Sequence, residues 1–517
     1  MVVKTEVKIV GTVHAEAKMN TVSTEATAPL YAVIDLGSNS FHMLIVKQLA
    51  NTVQVVDKIK QKVRLASGLD EKNYLSEEAI KRGIDCISLF ADRLQTIPVQ
   101  NVKIVATATL RLAENRQTFL EQANRLLPTP IQLLSGKEEA ETIYLGVAST
   151  SHENMNRLVI DIGGASTELV VGNQHKALQV ESLNMGCVTY LNQFFGDGKL
   201  SHLAFEHAID AAKKMLQPYA EVYKTIGWQQ SVSGSGTMQA LIEMLTFHNK
   251  PAVVTLSYLR EVKDQLIAFS EIKSIHLPGL TAERVPVLAS GLAILIGIFE
   301  SFEIANTKLS SGALREGLLS QILPNSRNQS LRESVISDLQ TIFNIDVSQA
   351  NLVTGQVNRL IGNVGTFDKN FTDTFKLLLP ASQLHEAGLI LNYKHYLEHG
   401  YYLIKNSSLL TFDNCEKESI ALLIKNHAGD VDEGFASHFN SPKKESLRLA
   451  LAILRIAVIL CKNRSQSNIL DFEAEITESA IILNFKDKEL SKHPLISFLL
   501  TQEVSSLKTI GIQLTIA

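Results

Sequence analysis

The stretch "VIDLGSNSFHMLIV" (residues 33–46) returns 126 residues further along the chain as "VIDIGGASTELVV" (residues 159–171). Each copy is an apolar run that ends in Asp, followed by a polar turn with Gly and then by a second run. Short β-branched runs on both sides of a Gly turn predict two strands joined by a tight connection. We therefore predict two related units, each with an Asp and a Gly turn at a strand end.

The length and composition of the chain place it among multidomain globular proteins. A hydrophobic core rarely grows beyond about 250–300 residues, so 517 residues predict two to four domains. With 45% hydrophobic residues, 20% charged residues and a net charge of -4, neither a disordered chain nor a general nucleic-acid binder is expected. The cysteines form no CxxC pair, which favours a reducing cytoplasm over a disulfide or zinc framework. They are Cys86, Cys187, Cys415 and Cys461.

Three segments bear on targeting and membranes. Residues 1–29 lack the continuous apolar core of a secretory signal, so we predict a flexible N-terminal segment. The apolar stretches 285–299 and 447–461 are too short or too interrupted to span a bilayer. We expect both to be buried helices of a soluble protein without a membrane span.

The order of strand-like and helix-like segments predicts the domain organisation. Strands alternate with helices in the first part of the chain, helical periodicity follows, and short β-like runs return at the end. After the N-terminal segment, we predict a first α/β domain (30–142), a second (143–325), a helical domain (326–440), and a C-terminal helix with a small mixed domain (441–517).

The repeated Gly turns are suited to phosphate. Glycine lets the backbone approach a ligand closely, and the N–H groups of a turn form an anion-binding concavity. One copy alone is equally well explained as a strand with a polar turn, but the matched duplication favours two turns that clamp one phosphate chain. The predicted phosphate contacts are Gly37, Ser38, Asn39, Ser40, Gly163, Gly164, Ser166 and Thr167, with Gly234, Ser235 and Gly236 from a third Gly turn.

The Asp of each copy is a candidate metal ligand. Mg²⁺ is usually bound through one or two carboxylates plus substrate phosphates, and Asp35 and Asp161 supply such carboxylates. Seven positions later the copies differ, because the first has His42 and the second has Glu168. The second turn therefore adds a carboxylate. Neither a dinucleotide GxGxxG fingerprint nor a Walker pattern is present.

Eight motifs in order give the chain a recognisable resemblance. It resembles the exopolyphosphatase and guanosine pentaphosphate phosphohydrolase family from Tyr31 to its end. The resemblance implies a duplicated α/β fold of the actin-like (RNase H-like) ATPase superfold with an interdomain cleft, then an all-α HD-like domain and a small α/β domain. The motifs are "AVIDLGSNSFHMLIV", "VATATLRLA", "LSGKEEAETIYLGV", "LVIDIGGASTELV", "NMGCV", "SGSGT", "GLAIL" and "SGALREGL".

The segment "LLSGKEEAETIY" contains two adjacent acids with different expected roles. Ser135 and Glu138 match the S-x-x-E capping box of a helix start, which gives Glu138 a structural explanation. The resemblance implies that the second acid, Glu139, is the general base that activates water.

The resemblance also implies roles for the other cleft residues. Asp35, Asp161 and Glu168 would line the cleft and hold Mg²⁺ or orient the water, and Arg111 would face the phosphates. An arginine there can offset developing charge. The alternative for Arg111 is a surface residue at a helix start.

Two further groups have open interpretations. Lys58, Lys60, Lys62 and Arg64 alternate, which predicts one face of a strand; that face could bind a polyanion or protect a charged sheet edge. The helical domain contains His385-Glu386 where a true HD site needs His-Asp, so we favour a structural bundle over a second metal site.

Both branches of the family act on terminal phosphoanhydrides. The motifs "ATATLRLA", "DIGGASTELV", "MGCVTYL" and "ASGLAILIGIF" look closer to the branch that removes the terminal 5′ phosphate of guanosine pentaphosphate (pppGpp) to give ppGpp, a reaction of the stringent response. The alternative substrate is inorganic polyphosphate. An actin-like ATP switch and a non-catalytic alarmone binder remain as other classes. The resemblance further implies a homodimer.

Overall fold

The structure of the protein is a computed structural model. The predicted N-terminal segment 1–29 lies outside the described residues except for its last two. The described residues are 28–49, 52–149, 155–248, 250–323, 331–362, 369–407, 412, 414–432, 434–437, 439–465, 470–486 and 489–517.

The first α/β unit is a five-stranded sheet with helices. Its strand order is β3-β2-β1-β4-β5, with β1, β2 and β3 antiparallel and β1, β4 and β5 parallel. Its elements are β1 Leu30–Leu36, β2 Ser40–Leu49, β3 Thr52–Lys62, α1 Glu77–Leu94, β4 Val102–Ala106, α2 Ala108–Leu112, α3 Arg116–Asn124, β5 Gln132–Leu133 and α4 Gly136–Ser149.

The second α/β unit repeats this plan. Its sheet has the order β10-β11-β9-β6-β7-β8, so β8-β7-β6-β9-β11 corresponds strand by strand to the first sheet. The duplication predicted from the two quoted stretches is confirmed. The elements are β6 Asn156–Ile162, β7 Thr167–Asn173, β8 Lys176–Leu183, α5 Cys187–Phe194, α6 His202–Ile226, β9 Gln230–Ser233, α7 Gly236–Phe247, β10 Val253–Val254, α8 Leu256–Phe269, α9 Val285–Phe302, β11 Thr307–Leu309 and α10 Leu314–Ile322.

The strand register places the predicted site residues in matching positions. Asp35 is the last residue but one of β1 and lies opposite His42 on β2. Asp161 is the last residue but one of β6 and lies opposite Glu168 on β7. Directly opposed residues of an antiparallel pair project their side chains from the same face. The carboxylate that the second unit adds therefore stands beside its aspartate.

Two crossing helices join the α/β units. Helix α4 follows the first sheet but packs against β7 and β8 of the second, and α10 follows the second sheet but packs against β1 of the first. The helices touch each other where two glycines allow close approach. A Cβ atom on Gly317 would lie 1.9 Å from the carbonyl oxygen of Thr142, and one on Gly146 would lie 2.0 Å from that of Ala313. The crossing thus requires residues without side chains.

The rest of the chain forms helices and a small sheet of order β12-β13-β14. Their buried side chains belong to one continuous hydrophobic core. The elements are α11 Leu331–Ile342, α12 Val347–Gly362, α13 Lys369–Phe375, α14 Leu378–Leu384, α15 Tyr396–Asn406, α16 Asn414–Asn426, α17 Ser441–Leu460, β12 Phe472–Ile476, β13 Ala480–Phe485, α18 Pro494–Thr509 and β14 Gln513–Ile516.

Two of the predicted domain borders cut across packed elements. The border between 142 and 143 falls inside α4, and the border between 440 and 441 separates α17 from helices with which it shares a core. The predicted positions of the domain borders therefore stay predictions.

The two apolar stretches both lie in buried helices. Helix α9 is long and apolar enough to cross a membrane, but 78% of it is buried inside the structure. Among the described residues it is the one helix that meets that test. Apolar residues of α17 likewise fill the core of the helical part.

We predict that Gly317→Ala destabilises the protein, because the added methyl would clash with α4 and force the helices apart. Overpacking of this kind costs about 1–3 kcal/mol, which corresponds to a fall in Tm of about 2–6 °C. The matched control is Gly355→Ala in α12, where a Cβ would meet nothing within 4 Å. That change should leave Tm unchanged or raise it, since alanine favours helices by up to about 1 kcal/mol. Equal Tm values for both variants, measured by scanning calorimetry, would contradict the tight crossing.

Candidate functional site

The two repeated turns are tight in the same way. A Cβ atom on Gly37 would lie 2.9 Å from the carbonyl oxygen of Ser40, and one on Gly163 would lie 3.1 Å from that of Ser166. The N–H of Gly163 also donates to the Ser166 carbonyl at 2.9 Å. A side chain is therefore excluded at Gly37 unless the backbone shifts, and one at Gly163 would be tightly crowded.

The two turns meet between the α/β units. A Cβ on Gly164 would lie 2.7 Å from the Cβ of Ser38 and 3.5 Å from the backbone nitrogen of Asn39. A backbone hydrogen bond stabilises each turn. The N–H of Val188 donates to the Gly164 carbonyl at 2.8 Å, and the N–H of Ala66 donates to the Ser38 carbonyl at 2.9 Å. Ser38 and Asn39 of the first turn thus face Gly164 of the second in what we call the interdomain site. The hydroxyl of Thr167 is buried and donates to the Met185 carbonyl at 2.6 Å, so it is not directed at a ligand.

Both aspartates are strongly perturbed by their surroundings. Burial raises the pKa of Asp35 to about 6, and the charge of Arg315 opposes that rise. Burial and then the neighbouring charge of Asp35 raise the pKa of Asp161 to about 7. The two carboxylates repel each other, and a cation bound between them would reduce this repulsion.

The aspartates meet the requirements of a divalent cation held jointly with substrate. The Oδ1 atom of Asp35 is buried, and no hydrogen-bond donor of the described residues reaches it. Within the described part of the chain, no three His, Cys, Asp or Glu side chains form a complete metal-binding group. A site with two carboxylates completed by substrate phosphates is the usual arrangement for Mg²⁺.

Helix α4 begins with the predicted capping box and presents Glu139 inward. Glu138 accepts from the Ser135 N–H at 2.8 Å, and the Glu138 N–H donates to Ser135 Oγ at 3.2 Å. Glu139 is instead only 6% exposed. Its Oε2 accepts from Nη1 of Arg111 at 2.9 Å. Burial raises the pKa of Glu139 to about 7, and Arg111 opposes that rise.

Glu168 lies beside Glu139 in the same buried group. Its Oε1 accepts from the hydroxyl of Ser182 at 2.9 Å. Burial and then the charge of Glu139 raise the pKa of Glu168 well above its usual value. Two neighbouring carboxyls with raised pKa values titrate as a pair, and such pairs occur where proton transfer is needed.

Arg111 contacts a carboxylate in the structure. Besides Glu139, its Nη1 donates to the Leu134 carbonyl at 2.9 Å. The contact of Arg111 with phosphate stays a prediction. The alternative interpretation, an arginine at the surface, does not agree with the contacts to Glu139 and the Leu134 carbonyl.

The third turn lies at the margin of the interdomain site. Ser235 caps α7 by accepting from the Met238 N–H at 3.2 Å. The guanidinium of Arg284 lies directly over Gly236, where a Cβ atom would be placed. The charge of Arg284 also reaches His42 and contributes to lowering its pKa. A phosphate at this turn would therefore meet an arginine as well as the backbone.

The sequence interpretation missed Arg315 in the motif "SSGALREG". Its Nη1 lies 3.2 Å from Nδ1 of His42. Burial and then the Arg315 charge lower the pKa of His42 to about 3, so the ring is neutral. Arg315 also lowers the pKa of both aspartates relative to burial alone. The signal that could have found it is a cation at the start of a helix after a Gly turn.

The alternating basic residues are partly as predicted. Lys58, Lys60 and Lys62 lie on β3, which is an edge strand. Lys60 and Lys62 lie 3.5 and 3.7 Å from Glu283 of the second unit. The prediction for Arg64 is wrong, because the strand ends at Lys62 and Arg64 has a left-handed φ of 50°.

Two buried histidines of the helical part, His385 and His427, contact backbone carbonyls. Nδ1 of His385 lies 2.6 Å from the Ser382 carbonyl and Nδ1 of His427 lies 2.6 Å from the Ile424 carbonyl. Their rings pack edge to face with centroids 5.2 Å apart. Glu386 forms an ion pair with Arg464.

Comparison with known proteins gives consistent matches along the chain. Residues 44–326 match the Ppx/GppA phosphatase family, and residues 331–504 match Ppx/GppA phosphatase, domain III. A guanosine-5'-triphosphate,3'-diphosphate pyrophosphatase of Pseudoalteromonas translucida is 43% identical over 94% of this chain and 98% of its own length. One from Vibrio parahaemolyticus is 41% identical over 96% and 99%. An exopolyphosphatase structure from Cytophaga hutchinsonii has the same fold, with a TM-score of 0.52 and 22% identity over 57% of this chain and 97% of its own.

We predict that Asp161→Asn stabilises the protein at alkaline pH. The folded-state pKa of Asp161 lies above its ordinary value of 3.8, so the cost of burying the carboxylate is absent below that value and grows as the pH rises through about 7. Asparagine removes the charge, and the gain at about pH 8 is at most about 4 kcal/mol. Tm should rise by several degrees at about pH 8, measured with a chelator present, and change little at about pH 4.

The control is Asp346→Asn. A hydrogen bond from the Gln349 N–H lowers the pKa of Asp346, so its loss should reduce Tm at alkaline pH. A fall in Tm for Asp161→Asn at alkaline pH would show that its carboxylate is not strained by burial.

Proposed function

The chain belongs to the Ppx/GppA phosphatase family, and we propose that it hydrolyses the terminal 5′ phosphoanhydride of guanosine pentaphosphate to give guanosine tetraphosphate and phosphate. The family resemblance and the duplicated actin-like α/β fold predicted from the motifs are confirmed. The observation that carries the proposal is Glu139, a buried carboxyl with a pKa of about 7 that lies beside Arg111 and Glu168 between two phosphate-type turns.

Glu139 has the properties of a general base for water. A base works best when its pKa lies near the working pH, since it is then both deprotonated and able to hold a proton. Burial and the charge of Glu139 raise the pKa of Glu168 well above its usual value, which favours a deprotonated Glu139 beside a protonated Glu168. In the proposal the deprotonated member, Glu139, accepts the proton of the attacking water while the hydroxyl of Ser182 holds Glu168 in place.

The turns and the cations around them would hold the phosphates. Backbone N–H groups of the two turns bind the transferred group, supported by the hydroxyls of Ser38 and Ser166. Asp35 and Asp161 would hold Mg²⁺, which offsets negative charge on a transferred phosphoryl group when bound. Arg315 adds a fixed positive charge beside the same aspartates. Arg111 keeps Glu139 close and counters its charge.

Inorganic polyphosphate is the second candidate substrate. The observation that favours it is the row of Lys58, Lys60 and Lys62, because a linear polyanion needs a continuous line of positive charge beyond the reaction centre. Both candidates present the same terminal phosphoanhydride to the same turns. The curated relatives with 41–43% identity are named guanosine-5'-triphosphate,3'-diphosphate pyrophosphatase. This name supports guanosine pentaphosphate as the main substrate.

The same proposal covers compartment, assembly and physiological role. Cys86, Cys187 and Cys461 are buried free thiols, as expected in the cytoplasm. We propose a cytoplasmic homodimer that acts in the stringent response by converting pppGpp to ppGpp.

We predict that Glu139→Gln lowers the release of phosphate from guanosine pentaphosphate by about 10²–10⁴-fold, the usual contribution of a general base. Glutamine keeps the size and the Arg111 contact but cannot accept the proton. Phosphate release should be followed with Mg²⁺ and, in separate reactions, guanosine pentaphosphate, polyphosphate or ATP.

The matched control is the neighbouring change Glu138→Gln. Glu138 serves the capping box, and glutamine preserves that hydrogen bond, so its rate should stay within about two-fold of the wild type. Full activity of Glu139→Gln would refute the base assignment. Wild-type turnover on ATP alone would favour a nucleotide switch, and no turnover on any substrate would favour a binding protein.

We predict that the rate rises with pH through a midpoint near 7, because Glu139 must be deprotonated and its pKa is about 7. Arg111→Gln removes the charge and hydrogen bond that hold this pKa down, so the midpoint should move to higher pH. Arg111→Lys keeps the charge and should move it less. A pH–rate profile of kcat/KM measures this, and an unshifted midpoint in Arg111→Gln would refute the coupling of Arg111 to Glu139.

A further inference from the structure

Glu283 reaches across the interdomain site to the lysine row of the first unit. It lies in the segment before α9, and its carboxylate is 3.5 Å from Nζ of Lys60 and 3.7 Å from Nζ of Lys62. The two lysines lower the pKa of Glu283, which keeps it ionised at neutral pH. One carboxylate therefore pairs with two neighbouring lysines of β3, the strand along which a polyanion would bind.

This pair lies at the outer end of a line of charge that starts at the aspartates. The charge of Arg315 acts on both Asp35 and Asp161. Arg315 also contacts His42, which is opposite Lys60 in the β2–β3 register. The positive charges of Arg315 and Lys60 thus lie on either side of the neutral His42, and the carboxylate of Glu283 pairs with Lys60 beyond it.

The pair is exposed, so it can be displaced. The side chain of Glu283 is 57% exposed and those of Lys60 and Lys62 are 38% and 31% exposed. Exposed ion pairs add little to stability and are screened by salt. A phosphate chain that arrives at the lysines would compete directly with the carboxylate. The carboxylate of Glu283 also repels phosphate groups. At physiological ionic strength this repulsion extends over about 8 Å, so it acts on phosphates bound at the lysines and only weakly on more distant phosphates.

We propose that Glu283 is a specificity-determining residue that disfavours long polyphosphate relative to short phosphoanhydrides. A short substrate fills the interdomain site and leaves the Glu283 pair intact. A long chain must continue along the lysine row, break both contacts and pass the carboxylate. The proposal rests on the proposed function, because it concerns the choice between substrates of the same reaction.

The test compares Glu283→Gln with the wild type on long-chain polyphosphate, tripolyphosphate and guanosine pentaphosphate. We expect kcat/KM for long polyphosphate to rise about 2- to 5-fold, the size of one exposed charge interaction, while the two short substrates change by less than about two-fold. The gain should shrink at about 0.5 M salt, where screening is strong.

The control is Glu303→Gln, which removes another exposed carboxylate of the second unit, paired with Lys224. It should leave all three values near those of the wild type. No gain on long polyphosphate, an equal gain on all substrates, or the same gain in Glu303→Gln would overturn the role of Glu283 and leave the proposed function standing. A wild type inactive on all three substrates would instead refute the proposed function and the role of Glu283 with it.

Discussion

Four carboxyl groups are brought into one partly dehydrated space between two α/β units, and the rest of the structure accommodates that repulsion. Asp35, Asp161, Glu139 and Glu168 all have raised pKa values, each chiefly because of burial. Burying several like charges is unfavourable unless cations or protons offset them. Arg111 pairs with Glu139, the charge of Arg315 acts on both aspartates, and the raised pKa of Glu168 favours its uncharged form. This excess of negative potential is also what a cation and a positioned water require.

The duplicated sheets place the carboxyls, and the local sequence differences make them unequal. The same register puts a residue opposite each aspartate, but the first unit has a neutral His42 there and the second has Glu168. His42 is neutral and contacts Arg315, whose charge acts on both aspartates, so the first unit adds no charge of its own at this position. The duplicated plan thus gives each unit an aspartate and a Gly turn, and only the second unit adds a carboxylate, Glu168, opposite its aspartate.

Structural features that depend on residues close together in the sequence could be predicted. Contacts between side chains far apart in the sequence could not. The repeated strand and turn were visible because Asp, Gly and Ser recur at fixed spacing, and the capping box was visible because Ser135 and Glu138 lie three residues apart. By contrast, Arg111 and Glu139 meet across 28 residues and Arg315 and His42 across 273. No period or local propensity records such contacts. The prediction for Arg64 failed for a different reason, since the alternation of basic residues continues in the sequence after the strand has ended at Lys62.

The crossing of α4 and α10 has a consequence for how the site is assembled during synthesis. Glu139 belongs to the first unit by chain order, but the helix that carries it is fixed by packing against β7, β8 and α10 of the second. Glu139, the proposed general base, therefore cannot take up its final position until Ile322, the end of α10, has left the ribosome. A nascent chain that had folded only its first sheet would hold Asp35 without its catalytic partners. The architecture thus prevents the hydrolytic centre from existing before both halves of the protein have been made.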